Sequence, residues 1–437
     1  MYQNEKKQLD ELLLRHNLHA DCFDYREESE HFYQSMLNGL SGKNSAGLFM
    51  LPSYISVGET IPIDRPALII DAGGTNIRVA RTHFNSDLEL VVEGFANYRM
   101  PGSETQVDSR EFYRLVAEYL IPLLDMGEVS DLGFCFSYGT QIMPNRDGLV
   151  LALGKEVEVE GLIGTMLGEG IRVALRAAGR TEDLRISVLN DTVAALLAGL
   201  GIRQARNMDN CIGYILGTGT NMACMVSGEY FKLLPPQDRY TMAVNLESGC
   251  YIPRVRSEVD VELDAGTSIP GDHVFEKMVG GQYQGLFSLY LMRFVAENSD
   301  LLSAEYRAAL AAVDTPPRTK YIDAALLYPY GDNYYAALCH DDRDRVMTRL
   351  IITEMYERIA KLVCIQLGGV LRLTGAGADP SRPAAVSADG STFYKSHGFR
   401  YILERHIHET IYRHDGRYLE FIQAENPILT GSTLAAF

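Results

Sequence analysis

Short apolar runs that end abruptly in glycine-rich polar turns dominate the first half of the chain, and longer stretches with apolar residues at helical spacing dominate the second. Ala67-Leu68-Ile69-Ile70 reaches Asp71 and passes at once into Ala72-Gly73-Gly74-Thr75-Asn76, which predicts a buried strand entering a tight turn. Ile77 to Thr82 returns as the second strand of a hairpin. Leu132 to Phe136 predicts another buried strand, ending where the polar loop Ser137-Tyr138-Gly139-Thr140 begins. Ile186 to Leu189 has the same character, and Asn190-Asp191-Thr192 then caps a helix running through Val193, Ala194, Ala195, Leu196, Leu197 and Ala198. Asp191 therefore falls at a strand-to-helix junction, a natural place for a ligand contact.

Cys211 to Leu216, then Gly217-Thr218-Gly219-Thr220-Asn221, then Met222 to Val226 repeats the strand, glycine turn, strand design seen around residue 71. Two similar phosphate-sized turns imply an internally duplicated architecture. Helical periodicity follows over Val274 to Ala296, Ser303 to Val313 and about Asp344 to Arg372, with a break at Asp314 to Arg318, which holds two prolines. Met1 to His19 mixes charges among its leucines and reads as an amphipathic surface helix, without the continuous apolar stretch of a secretory signal.

Length and charge narrow the class. At 437 residues the chain exceeds what one core usually supports, so two domains with a cleft between them are expected. A formal charge of −17 with no dense basic cluster argues against nucleic-acid binding, although backbone amides in glycine turns hold a small anion against an unfavourable net charge. Seven cysteines without a CxxC pair suggest neither a zinc ribbon nor a disulfide framework, and a reducing cytoplasm fits them. No apolar run approaches the roughly 18 to 20 residues that cross a bilayer, so a soluble protein without membrane association is expected, as a monomer or homodimer.

A phosphoryl donor requires backbone amides around its phosphates, a cation to offset their charge, and an acceptor hydroxyl held in line by a carboxylate. Gly73, Gly74, Gly217 and Gly219 allow close backbone approach, Thr75, Thr218 and Thr220 add hydroxyls, and Asp71 is placed to orient Mg2+ through water. Taken alone, each turn reads equally well as a tight hairpin. His406 and His408, with His414 beyond, predict a wet helix face, since i and i+2 positions diverge on a helix. Gly375-Ala376-Gly377 starts a dinucleotide fingerprint that lacks its acidic partner.

Asp71-Ala72-Gly73-Gly74-Thr75-Asn76-Ile77-Arg78 resembles the first phosphate loop of hexokinases, Gly217-Thr218-Gly219-Thr220-Asn221 resembles the second, and Asn190-Asp191-Thr192-Val193 between them resembles the catalytic segment. Met50-Leu51-Pro52-Ser53-Tyr54-Ile55, Phe275-Glu276-Lys277-Met278-Val279-Gly280-Gly281, and Asp389-Gly390-Ser391 followed by Tyr394-Lys395-Ser396-His397 extend the likeness from about residue 36 to the end. The resemblance implies the hexokinase fold, α/β with two actin-like (ribonuclease H-like) domains and an interdomain cleft. It implies a small domain over 64–191 plus 429–437 and a large domain over 1–63 plus 192–428. The implied activity is transfer of the γ-phosphoryl group of ATP, with Mg2+, to the 6-hydroxyl of a hexose, glucose by default.

Within that resemblance Asp191 would be the general base, and Ser137, Lys155, Asn190, Asn221, Glu247 and Glu276 would bind sugar with it. Asp71, Gly73, Gly74, Thr75, Asn76, Gly217, Thr218, Gly219, Asp389, Gly390 and Ser391 would bind the nucleotide. Arg78 would steady the first loop, offset phosphate charge, or form a structural ion pair. The chain departs from the pattern at Tyr138-Gly139-Thr140-Gln141, at Gly154, at Ser248, at Ile269 and at His273, which stands where a glutamine often meets sugar. These changes alter the sugar wall and leave the phosphoryl-transfer residues in place. The competing expectations are a non-catalytic actin-like or chaperone-like ATP-binding module, which would have no use for Lys155, Glu247 and Glu276, and a sugar-sensing regulator derived from a kinase.

Overall fold

The computed structural model describes the chain except for residues 1, 44–47, 57, 59, 155 and 156 and the side chains of residues 203–205. Two sheets organise it. In the first, β1 (Ala67–Gly73) pairs antiparallel with β2 (Asn76–Phe84), which pairs antiparallel with β3 (Leu90–Arg99). On the other side β1 runs parallel to β4 (Asp131–Phe136), and β4 parallel to β5 (Arg185–Leu189), giving the order β3-β2-β1-β4-β5.

The second sheet contains β6 (Cys211–Leu216), β7 (Thr220–Val226), β8 (Met242–Asn245), β9 (Ala384–Asp389) and β10 (Leu419–Ile422) in the order β8-β7-β6-β9-β10, with Leu51–Pro52 adding an edge beside β8. Its hairpin and its two parallel neighbours match those of the first sheet strand for strand. This is the duplication that the paired glycine turns imply. Central strands are covered on both faces, and residues 67–72 and 131–136 are accordingly buried throughout, whereas the edge strand β3 alternates.

Helices cover the sheets. α1 (Asp191–Ala205) follows β5 directly. The single helix expected over Val274 to Ala296 is two: α2 (Val274–Val279) and α3 (Gly281–Asn298), separated by Gly280 in an extended conformation. The break has a physical reason, because the amides of Gly281 and Gln282 turn to the carbonyls of Gly217 and Thr218 instead of continuing a helix. α4 (Asp342–Thr374) forms the spine of the larger core, starting at the Asp341 cap and stopping at Gly375, whose φ is 71°. Gly375-Ala376-Gly377 is thus a helix stop, with left-handed glycines at both ends.

The amphipathic N-terminal segment is a helix over Gln3–Arg15 that buries Leu9, Leu12 and Leu13. His406 does not lie on a wet face: it is buried, with Nε2 2.5 Å from Glu357 Oε2, because its helix lays this side against α4. Among the described residues all seven cysteines are free, and no helix is long and apolar enough to cross a membrane.

α5 (Pro427–Ala436) lies against the first sheet, α1 lies against the second, and the two helices pack on each other. Glycines permit this closeness. A Cβ at Gly431 would stand 2.0 Å from the Ala194 carbonyl oxygen, one at Gly133 2.0 Å from the Ser432 oxygen, and one at Gly213 2.5 Å from the Thr192 oxygen. Gly201, also on α1, faces open space. Gly431→Ala is therefore expected to destabilise by about 1–3 kcal/mol through overpacking, whereas Gly201→Ala is neutral or stabilising because only chain entropy changes. Thermal denaturation of the two variants checks this, and equal midpoints would show that the helix contact yields freely.

Candidate active site

The strand registers assemble the site before any side chain is considered. Asp71 on β1 lies beside Cys135 on β4, and Leu189 on β5 lies on the other side of Cys135. The residues that follow, Gly73-Gly74, Ser137 and Asn190-Asp191, must emerge together at one sheet edge. In the second sheet Ile215 is level with Asp389, so Gly217 and Gly390 likewise emerge together. A cleft of about 560 Å³ runs between them, lined from the first half by Ser137, Tyr138, Asn190 and Asp191 and from the second by Gly219, Asn221, Asn245, Glu247, His273 and Glu276.

Asn190 caps α1, its Oδ1 accepting the Val193 amide at 3.0 Å, so Asp191 is released from the capping role that its position suggested. The Asp191 carboxylate accepts instead from Asn190 Nδ2 at 3.1 Å and Thr192 Oγ1 at 3.2 Å. Burial raises its pKa above the usual carboxylate range, the Thr192 hydrogen bonds oppose the rise, and the charges of Asp71 and Asp389 add to it. Asp71 is also raised by burial, partly offset by Arg78, whose Nη1 donates to Asp71 Oδ2 at 2.8 Å. The ion pair weighed for Arg78 is thus formed.

The two glycine turns differ in detail. Gly74 has φ 59° with nothing within 4 Å of a Cβ position, and Tyr138 Oη donates to its carbonyl at 2.6 Å. The altered loop after Ser137 thereby holds the first turn in place, a contact that sequence comparison registers only as a departure. In the second turn Thr392 Oγ1 and the Gly281 amide donate to the Gly217 carbonyl at 2.7 and 2.9 Å. A Cβ at Gly219 would stand 2.1 Å from Glu276 Oε2, which accepts the Thr220 amide at 3.0 Å. A side chain at 219 would displace the Glu276 carboxylate from the Thr220 amide.

Asp389 accepts the Gly390 amide at 2.7 Å, and Gly390 has φ 116° and approaches so closely that a Cβ would lie 2.3 Å from the Leu216 oxygen. Beyond them a smaller cavity of about 230 Å³ is lined by Gly217, Thr218, Ser391 and Thr392 together with Lys320 and Lys395. Lys320 carries no motif in the sequence.

On the opposite wall Asn221 Oδ1 accepts the amides of Met222 and Ser248, while its Nδ2 donates to Asn245 Oδ1 at 2.7 Å. Asn245 in turn donates to Glu247 Oε1 at 2.6 Å. Burial raises the Glu247 pKa, with Asn245 and His273 opposing and Asp191 and Glu276 reinforcing. Asn245 was missed from sequence, although its place two residues before Glu247 was the available signal. Ser137 is exposed beside Gly73, and Lys155 lies outside the described residues. Asn76 follows Gly74 at the start of β2, and Thr75 is exposed beside it.

Asp71, Asp191 and Asp389 converge closely enough for their charges to act on one another, and hard oxygens of this kind suit Mg2+. Turns stripped of Cβ atoms suit phosphate. The residues present therefore fit a magnesium-bound nucleoside phosphate.

Paired sheets of one strand order, with glycine turns meeting a carboxylate-lined cleft, define a two-domain actin-like α/β protein. Two sequence profiles, each described as Hexokinase, match residues 13–200 and 211–437. The chain belongs to the hexokinase family. Mouse Hexokinase-1 is 27% identical over 410 residues, which cover 87% of this chain and 40% of that protein. Candida albicans Hexokinase-2 is 25% identical over 405 residues, covering 85% and 79%. The chain thus spans about two fifths of the length of its mammalian relatives. A hexokinase from Schistosoma mansoni complexed with glucose superposes with a TM-score of 0.74 at 21% identity, covering 99% of both chains, and a second hexokinase crystal structure with 0.76 at 17%. These structures share the hexokinase fold.

A raised carboxylate pKa means that ionising Asp191 costs stability in the folded chain. The cost is present above the raised value and vanishes below the unfolded one, where the carboxyl is protonated in both states. Asp191→Asn is therefore expected to raise the thermal midpoint at pH 7.5, with the gain disappearing as pH falls into the ordinary carboxylate range. A lower midpoint at neutral pH would contradict this assignment of charge.

Proposed function

We propose that this chain is an ATP-dependent hexose kinase, transferring the γ-phosphoryl group of ATP to the 6-hydroxyl of a hexose, with glucose as the default substrate. The observation that carries the reading is Asp191: a half-buried carboxylate whose ionisation is disfavoured by desolvation, in a cleft whose other wall presents Asn221, Glu247 and Glu276. A module that only binds ATP would not need that polar wall.

In this reading Asp191 accepts the hydroxyl proton as the new oxygen–phosphorus bond forms, and its raised pKa makes it a better base than an ordinary aspartate. Asn190 caps the helix and donates to the same carboxylate, so it sets the angle at which the base meets the sugar. Glu247, Glu276 and Asn221, held through Asn245 and the Thr220 amide, take ring hydroxyls. The turns at Gly73-Gly74-Thr75-Asn76 and Gly217-Thr218-Gly219 hold the phosphates, with Asp389, Gly390 and Ser391 on the nucleoside side.

Asp71 would hold Mg2+ through water, and the ion would offset charge on the β- and γ-phosphates. The small domain is assigned to 64–191 plus 429–437 and the remainder to the large one. Ser137 and Lys155 belong to the small domain, so its closure over bound sugar would exclude water and limit ATP hydrolysis. The enzyme is placed in the cytoplasm as a soluble protein.

A coupled assay of ADP release across glucose, mannose, fructose and glucosamine tests the reaction. Hexose-dependent ADP release is expected, and Asp191→Ala should lower kcat by about 100- to 10,000-fold while sugar binding persists. Turnover in that variant within about tenfold of the parent would reject Asp191 as the base. The acid limb of kcat/KM should have its midpoint above the ordinary carboxylate range, falling as Asp191 protonates. An acid limb at the unperturbed aspartate value would contradict the raised pKa.

A further inference from the structure

Three side chains on the sugar wall form a set that phosphoryl transfer does not require. Glu247 follows β8, Cys250 ends the short helical turn after it, and His273 immediately precedes α2. Their carboxylate, thiol and imidazole donor atoms all lie within 4.8 Å of one another. Recognition of sugar hydroxyls accounts for the carboxylate and gives the thiol nothing to do.

The backbone holds these groups in place. Glu247 and His273 both have left-handed backbones, at φ 53° and 48°, which non-glycine residues seldom adopt. The Cys250 amide donates to the Glu247 carbonyl at 3.0 Å, closing the turn that carries both, and the Phe275 amide donates to the Tyr251 carbonyl at 3.1 Å, tying that turn to the segment that carries His273. His273 Nδ1 is buried without an aligned hydrogen-bond partner, and Asp272 Oδ1 stands 3.1 Å from it. Asp272 Oδ1 is engaged by the His273 amide at 2.9 Å, so the imidazole Nδ1 is left without an aligned partner at the cleft. The other mixed cluster, Asp10, His19 and Glu354, differs because the Lys6 ammonium already supplies its cation, 3.0 Å from Glu354.

We propose that Glu247, Cys250 and His273 bind a zinc-class divalent ion in the sugar-free cleft, and that this ion inhibits the enzyme by competing with hexose. Sulfur, nitrogen and oxygen from three residues, with a fourth position open to the cleft, is the donor set and geometry of an accessible Zn2+ site. Bonds of about 2.0–2.3 Å require the donors to draw together by roughly 1 Å. Mg2+ does not compete, because it demands oxygen ligands in octahedral array. On binding, the Cys250 thiol proton passes to solvent and a sulfur–metal bond forms, with no change of oxidation state. Glu247 cannot serve a sugar hydroxyl and the ion at once. The competition rests on the hexose-kinase reading, whereas the binding of metal does not.

Titration of the whole chain with Co2+, followed by displacement with Zn2+, tests the site. One equivalent of Co2+ should produce a thiolate-to-metal charge-transfer band that Zn2+ abolishes. Cys250→Ser should lose the band, and His273→Gln, at a half-exposed position, should weaken Zn2+ binding at least about tenfold with an unchanged thermal midpoint. Glucose should raise the apparent Kd for Zn2+, and Zn2+ should raise the KM for glucose, reversed by chelation. Absence of the band, or a band that survives Cys250→Ser or a Zn2+ affinity that survives His273→Gln, would overturn the site. Simultaneous binding of Zn2+ and glucose would overturn the competition. Zinc-free protein that shows the band and phosphorylates no hexose would leave the metal site standing and sink the kinase reading instead.

Discussion

The closeness of α1 to the second sheet, and through α5 to the first, is the constraint on which the rest of the molecule depends. Its first turn carries Asp191, and its body is gripped through α5 on one side and β6 on the other, at distances that only glycines at 431, 133 and 213 allow. The core between them sets alanines at 194, 223, 243, 385 and 435 among larger side chains such as Leu196, Leu197 and Met208. Small side chains bring backbones together at the expense of buried apolar area, so position is favoured over bulk. The helix that bears the candidate base is therefore among the most tightly located elements of the chain.

That rigidity supports an electrostatic arrangement that is costly in isolation. Asp71, Asp191 and Glu247 all have pKa values raised by burial, and Arg78 is the paired cation beside the first of them. Desolvated carboxylates that face each other store free energy which a bound cation, a proton donor or a sugar hydroxyl releases on arrival. Strain of this kind persists only where the surrounding structure over-determines it. The left-handed backbones of Glu247 and His273 belong to the same economy, and both border the cleft.

Much of the architecture was legible along the chain. Each strand around residues 71, 134, 187 and 214 was announced by an apolar run ending at a polar turn, because a strand buried on both faces must be continuously apolar and must stop where water begins. The motif order around the two glycine turns and Asp191 carried the family. Two local expectations failed for tertiary reasons. Gly280 divides one expected helix because the second glycine turn takes its amides, and His406 is buried because α4 supplies Glu357 to receive it.

What the residues alone determined was therefore local and repetitive: the strand ends, the turns without Cβ atoms and the helix that follows Asp191, since each depends on the chemistry of neighbours in sequence. Register and packing decided the rest. That Asp71, Cys135 and Leu189 stand side by side, that Tyr138 pins the first turn, and that Cys250 and His273 meet Glu247 are all products of contacts between distant segments. Periodicity carries no information on which strand lies beside which, because burial constrains the face a residue occupies and leaves its partner to the fold.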